Sequence, residues 1–147
     1  MNTEKLKKYL RVAEAIASLS KDKSTQVGAV IIGPDGEGGP WGYNGAPRNL
    51  SYDEIDIIDR DLKLLTFEHA ERNAIYAAAR RGYATKDGLM VVTHHPCCDC
   101  ARAIIQSGIT TVVYRKPEDA FAQRWAVNLD VSRGMLKEAG VKLIEVP

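Results

Sequence analysis

The sequence predicts an α/β fold, a three-layer α/β/α sandwich with a five-stranded mixed sheet at its centre. Three observations point there. Helix-periodic segments and short β-branched runs alternate through most of the chain, the pattern of a sheet covered by helices on both faces. At least two β-α-β crossovers follow from that order, and each sets its two strands parallel. An early pair of strands joined only by a turn-rich stretch adds a hairpin. A chain of 147 residues suits one hydrophobic core, so residues 1 to 147 are expected to form a single domain.

Residues 3 to 19 place Leu6, Tyr9, Leu10, Ala13, Ile16 and Ala17 at steps of three and four. This spacing predicts an amphipathic helix whose apolar stripe covers the sheet. The β-branched run QVGAVII, residues 26 to 32, predicts a strand; GPDGEGGP breaks it, and residues 41 to 44 return as a second strand. Residues 46 to 66 open as a loop and then show Ile55, Ile58, Leu62 and Leu65 at helical spacing. A further helix is predicted from His69 to Arg81, its alanine-rich end suited to close packing. Leu89 to Thr93 reads as a buried strand, Cys97 to Gln106 as a helix started by Pro96, and Thr110 to Tyr114 as another strand. Phe121 to Ala139 is helical in pattern, Gly140 stands where a glycine ends a helix, and VKLIEV, residues 141 to 146, closes the chain as a strand.

Composition narrows the function classes. With 20 Lys and Arg against 19 Asp and Glu, and no long block of one sign, the chain lacks the electrostatic footprint of a nucleic-acid binder. No stretch approaches the roughly 20 apolar residues of a membrane span, and the first residues lack a signal core with a cleavage site. A cytoplasmic protein without a membrane partner is therefore expected. The three cysteines, Cys97, Cys98 and Cys100, are odd in number and crowd into four positions, which suits metal binding or reactivity better than disulfides.

Two short stretches hold the chemistry: His69-Ala70-Glu71 and Pro96-Cys97-Cys98-Asp99-Cys100, each opening a predicted helix. Cys97 and Cys100, three apart, share a helix face and can converge on one ion, while Cys98 and Asp99 point elsewhere. His69, Cys97 and Cys100 make the three-ligand set of a catalytic zinc site, one Zn2+ per chain, with a position left for water. A helix start also favours thiolate over thiol. Glu71 does not share the direction of His69 and is assigned to the zinc-activated water, as the group that moves its protons. A closed structural zinc site is the competing reading, with His94, His95 or Cys98 as its fourth ligand.

These two stretches make up the H-x-E and P-C-x-x-C signature of the zinc deaminases, and the chain resembles the deoxycytidylate deaminases of the cytidine deaminase-like superfamily, of the compact phage or bacterial type. Residues 20 to 30 (SKDKSTQVGAV), Gly42-Tyr43-Asn44-Gly45 and Gln106-Ser107-Gly108-Ile109 share in the resemblance. It implies a cytidine deaminase-like fold and conversion of dCMP to dUMP and ammonia, which supplies dUMP for thymidylate synthesis. It also implies that Asn44 meets the substrate sugar; a turn asparagine beside Gly45 is the plain alternative. A 5′-phosphate needs donors, for which Lys21, Lys23 and Ser24 are candidates, with Arg115 at a strand end; each lysine alone could equally be a solvated charge. Thr93 and His94 stand where the superfamily lines its base pocket, and Tyr114 either packs on the substrate or belongs to the core. Members often form hexamers activated by dCTP with Mg2+ and inhibited by dTTP, and Gly42, Tyr43, Asn44 and Gly45 match the stretch implicated in effector binding. Residues 46 to 66 hold no cysteine or histidine, so the second zinc of larger phage relatives is not expected. Other readings stay open: a deaminase of dCTP, cytidine or another base, or a silent zinc-stabilised nucleotide-binding protein.

Overall fold

The computed structural model describes residues 1–51 and 59–147. Helix α1 (Thr3–Ala17) leads to strands β1 (Gly28–Ile32) and β2 (Gly38–Tyr43). Helices α2 (Arg60–Thr66) and α3 (Ala70–Arg81), strand β3 (Leu89–Val92), helix α4 (Cys98–Gln106) and strand β4 (Thr111–Arg115) follow. Helices α5 (Asp119–Arg124) and α6 (Ala126–Glu138) and strand β5 (Lys142–Val146) complete the order. The five strands form one mixed sheet, β2-β1-β3-β4-β5. β1 runs antiparallel to β2 and β3, and β3, β4 and β5 run parallel.

Alternation along the strands divides the core into two layers. Val30, Ile32, Val91, Val113 and Val146 face the Leu6, Leu10, Ala13 and Ile16 stripe of α1. Ala29, Ile31, Met90, Val92, Val112 and Tyr114 face Ala70, Ala74 and Ala78 of α3, Ala101 and Ile104 of α4, and Leu136 of α6. Burying each of the larger aliphatic chains contributes about 1.5–3 kcal/mol. Two glycines let helix backbones sit directly on the sheet. A Cβ at Gly28 would lie 2.1 Å from Ala13 O, and one at Gly42 would lie 2.5 Å from Ala74 N.

Several boundaries differ from the sequence reading, for tertiary reasons. Gln26 and Val27 precede β1 because Gln26 Nε2 donates to Ser20 O and Val27 N donates to Asn44 Oδ1. β2 begins three residues before Trp41, so the hairpin loop shrinks to a turn closed by Gly33 N on Glu37 O, with Gly36 at φ 84°. The single helix expected over residues 121 to 139 is two: Trp125 breaks it at φ −106°, ψ 11°. Ile55 and Ile58 lie outside the described residues. Leu62 and Leu65 fall in α2 but face outward, Leu65 at 84% exposure, so α2 is not an apolar cover of the core. No helix among the described residues is long and apolar enough to cross a membrane.

Candidate active site

β3 ends in Thr93-His94-His95-Pro96, which delivers the chain to α4 at the C-terminal edge of the parallel strands, the usual position of sites in open α/β sheets. α3 begins beside it. His69 is the N-cap of α3 and Cys97 the N-cap of α4, and neither side chain forms a capping hydrogen bond. The position that normally caps a helix is turned inward at both helices. His69 Nδ1 lies 3.4 Å from Cys97 Sγ and 3.4 Å from Cys100 Sγ, and all three donor atoms lie within 4.8 Å of one another.

This donor set fits zinc. Tetrahedral bonds of about 2.0–2.3 Å set neighbouring donors roughly 3.5–3.8 Å apart, close to the spacing found. Both helix N-termini direct their partial positive charge at the thiols. The Cys97 thiol is pushed down to about 4 by hydrogen bonds from Cys100 and His69, while Cys100, which gives up that bond only by losing its proton, is pushed up. The His69 imidazole is raised by its bond to Cys97. The group is therefore primed with one thiolate, and a metal would displace the remaining protons.

The three residues considered as a fourth ligand all have other partners. His94 Nδ1 is 3.0 Å from Thr93 Oγ1, His95 Nδ1 is 2.9 Å from Pro96 O, and Cys98 Sγ donates to Asn128 O at 3.2 Å. Among the described residues the metal group is His69, Cys97 and Cys100 alone, so a coordination position is left for water. Arg72 ties the two helix starts together, 2.5 Å from Glu68 Oε1 and 3.8 Å from Asp99 Oδ2.

Glu71 is 4% exposed and lines a cavity of about 500 Å³ together with His69 and Cys97. Burial, reinforced by the negative Cys97, raises its carboxyl above the usual range, towards the value suited to proton transfer near neutral pH. Leu64, Phe121, Trp125 and Leu129 supply apolar wall, and Ser24, Asn44 and His94 also line it.

The other residues singled out in the sequence lie elsewhere. Thr93 and Arg115 line a neighbouring groove of about 530 Å³ that shares Thr25, His94, Phe121 and Arg124 with the cavity. Thr93 Oγ1 accepts from Gly28 N at 3.2 Å, and Arg115 pairs with Glu14. Tyr114 is buried with its ring edge-on to His95, 4.7 Å between centroids, and lines neither space. Lys21 and Lys23 are exposed and also line neither. Within Gly42-Tyr43-Asn44-Gly45, Gly42 is buried under α3, Tyr43 stacks on Trp41, and Gly45 pairs with Glu68.

Asn44 is the staple of the wall. Its Oδ1 accepts from Val27 N at 2.8 Å, and its Nδ2 donates to Thr25 O at 2.8 Å and Asp22 Oδ2 at 3.1 Å. Asp22, passed over in the sequence reading, is the hub of the loop. Buried at 6% exposure, it also accepts from Ser24 N and Thr25 N and pairs with Lys63 of α2 at 2.9 Å. An aspartate followed two and three residues on by Ser and Thr is an Asx-turn signature that could have revealed the first two bonds. Lys63, Arg60, Phe121, Arg124 and Trp125, all lining the cavity, gave no sequence signal.

Residues 3–116 match the family model described as the cytidine and deoxycytidylate deaminase zinc-binding region. The chain is 40% identical over 142 residues to an uncharacterized deaminase in the luxG 3′ region of Aliivibrio fischeri, covering 96% of this chain and 92% of that one. It is 34% identical over 131 residues to the human deoxycytidylate deaminase, covering 82% of this chain and 72% of the human one. The dCMP deaminase of cyanophage S-TIM5, solved in complex with dCMP and dUMP, superposes with a TM-score of 0.80 at 25% identity over 99% of both chains. With the zinc-type donor set, the buried carboxyl beside it and the shared five-stranded fold all in place, the chain belongs to the cytidine and deoxycytidylate deaminase family.

Proposed function

We propose that the chain is a zinc-dependent deoxycytidylate deaminase that converts dCMP and water to dUMP and ammonia. The observation that carries this is the pairing of a three-donor metal group with Glu71, a buried carboxyl that is no ligand and lines the same cavity. Likeness to the human and cyanophage enzymes supports the choice of substrate.

His69, Cys97 and Cys100 would hold the zinc, which when bound would supply the Lewis acidity that makes water nucleophilic near neutral pH. Glu71 takes a proton from the attacking water as the C4–O bond forms and gives it to the ring nitrogen N3; it then takes the proton of the new C4 hydroxyl and gives it to the amine, so that the C4–N bond breaks, ammonia leaves and C4 keeps the oxygen as a carbonyl. Its raised affinity for protons suits both halves of that transfer. Phe121, Trp125 and Leu129 exclude water from the base, and His94 reads it at the cavity wall. Asn44 holds the 22–27 loop in place, and a lone pair on its Oδ1 is left to accept from a sugar hydroxyl.

Activation by dCTP with Mg2+ and inhibition by dTTP belong to the same proposal, with the exposed Trp41–Tyr43 stack on edge strand β2 as the surface for an effector base, and with a hexamer as the assembly. The test is ammonia release from dCMP, deoxycytidine, cytidine and dCTP, each with and without dCTP or dTTP as effector. Preference for dCMP supports the proposal. Turnover confined to another substrate, or none, overturns it.

A further inference from the structure

The proposed reading leaves open which groups hold the phosphate. Three cations line the cavity: Arg60 at the start of α2, Lys63 one turn later, and Arg124 at the end of α5. They are not equivalent. Lys63 is committed to buried Asp22, 2.9 Å away, with its side chain only 16% exposed; its charge is already neutralised. Among the described residues, the side chains of Arg60 and Arg124 make no ion pair or hydrogen bond. Glu71 is the one acidic side chain among the described residues of the lining, and it is buried at the metal group. Among the described residues lining the cavity, Arg60 and Arg124 therefore stand as two guanidiniums with no carboxylate besides buried Glu71, while Glu14 and Glu118 line the neighbouring groove that Arg124 also borders.

The rest of the lining indicates what those cations face. Phe121 and Trp125 stack 6.1 Å apart on the same short stretch as Arg124, giving a flat apolar surface beside a positive one. A planar ring linked to a dianion matches that surface. A phosphate monoester carries about −1.5 to −2 charge near neutral pH, and guanidinium forks bind its oxygens two at a time, which ammonium groups do not.

Building on the deaminase reading, we infer that Arg60 and Arg124 form a two-armed clamp for the substrate's 5′-phosphate, and that this clamp makes the site select nucleoside monophosphates over nucleosides. The phosphate then lies between α2 and α5, and the Lys21 and Lys23 ammonium groups, which do not line the cavity, are not its ligands. Because the two arms sit on separate elements, each acts on KM for the phosphorylated substrate, and neither touches the reacting amine.

The test is the ratio of kcat/KM for dCMP to that for deoxycytidine, measured on zinc-loaded wild type, Arg60→Gln, Arg124→Gln, the double variant, and Lys21→Ala/Lys23→Ala. Zinc content and circular dichroism confirm that each variant is folded. The clamp predicts a fall in the ratio of about tenfold in each single arginine variant and about a hundredfold in the double, the size expected for charge-assisted bonds, arising in KM for dCMP. Arg124→Lys should recover only part of the loss. A wild type that prefers dCMP while the arginine variants keep its ratio overturns the clamp and leaves the deaminase reading standing. A ratio that collapses in the lysine variant instead overturns it too, as does a wild type indifferent to the phosphate.

Discussion

The backbone N–H of Cys98 donates to Asn128 Oδ1 at 3.1 Å, so a residue of α6 caps the first turn of α4 from outside. Cys97, the N-cap itself, does not cap with its own side chain because its sulfur faces the metal group. Cys98 Sγ donates to Asn128 O, and Ser132 Oγ donates to Pro96 O at 2.7 Å, so α6 fixes the turn that aims both zinc thiols.

Losing such a cap costs about 0.5–2 kcal/mol, and loosening the ligand turn weakens metal retention. Asn128→Ala is predicted to speed zinc transfer to a chelator by about tenfold, while Asn128→Asp, which keeps an acceptor, stays near wild type. Equal release rates in all three proteins would show that α6 does not position the turn.

Glu71→Gln should retain one zinc per chain yet lose ammonia release from dCMP by at least ~100-fold, because an amide cannot shuttle protons. Zinc analysis alongside the ammonia assay checks this. Loss of the metal together with activity would make Glu71 a structural residue.

Asp22 and Lys63 form a pair with side chains 3% and 16% exposed. Removing one partner strands the other, at a cost of about 3–5 kcal/mol, whereas an apolar replacement of both is far milder. Asp22→Ala is predicted to lower stability in urea unfolding by that amount, and Asp22→Leu/Lys63→Met to recover only the part owed to Lys63, because Ser24 N, Thr25 N and Asn44 Nδ2 still lose their carboxylate acceptor. A double variant as unstable as the sum of the single changes contradicts the coupling.

Burial holds the His94 imidazole below its usual range, partly offset by Glu118. The unfolded chain takes up this proton below about pH 6.5 and the folded chain only at lower pH, so the stability involved is complete above that value and lost as pH falls. Zinc-loaded wild type should therefore lose more stability than His94→Gln between about pH 7.5 and 5.5. Equal losses would mean that His94 titrates normally.

What the sequence made legible was mostly local. The α1 stripe, the strand alternation, the helix starts at His69 and Cys97 and the common face of Cys97 and Cys100 depend on spacing within one element; the approach of His69 to the two cysteines is tertiary, and the structure sets the three donor atoms within 4.8 Å of one another. Residues whose positions depend on distant partners were hidden. Asp22 is fixed by Lys63, forty-one residues away. The break at Trp125 turns Phe121 and Arg124 towards the cavity while Leu129 and Leu136 of the next helix stay buried. Tyr114, open in the sequence to either the substrate or the core, belongs to the core, where its place in the pleat packs it beneath His95.

The central claim joins the metal group to turnover of dCMP, and titrating zinc into metal-stripped protein while following ammonia release tests that link most directly. The account predicts no activity without metal and a linear rise that levels off at one zinc per chain. Full activity in the stripped protein, or zinc bound at one per chain with dCMP left unchanged, would contradict it.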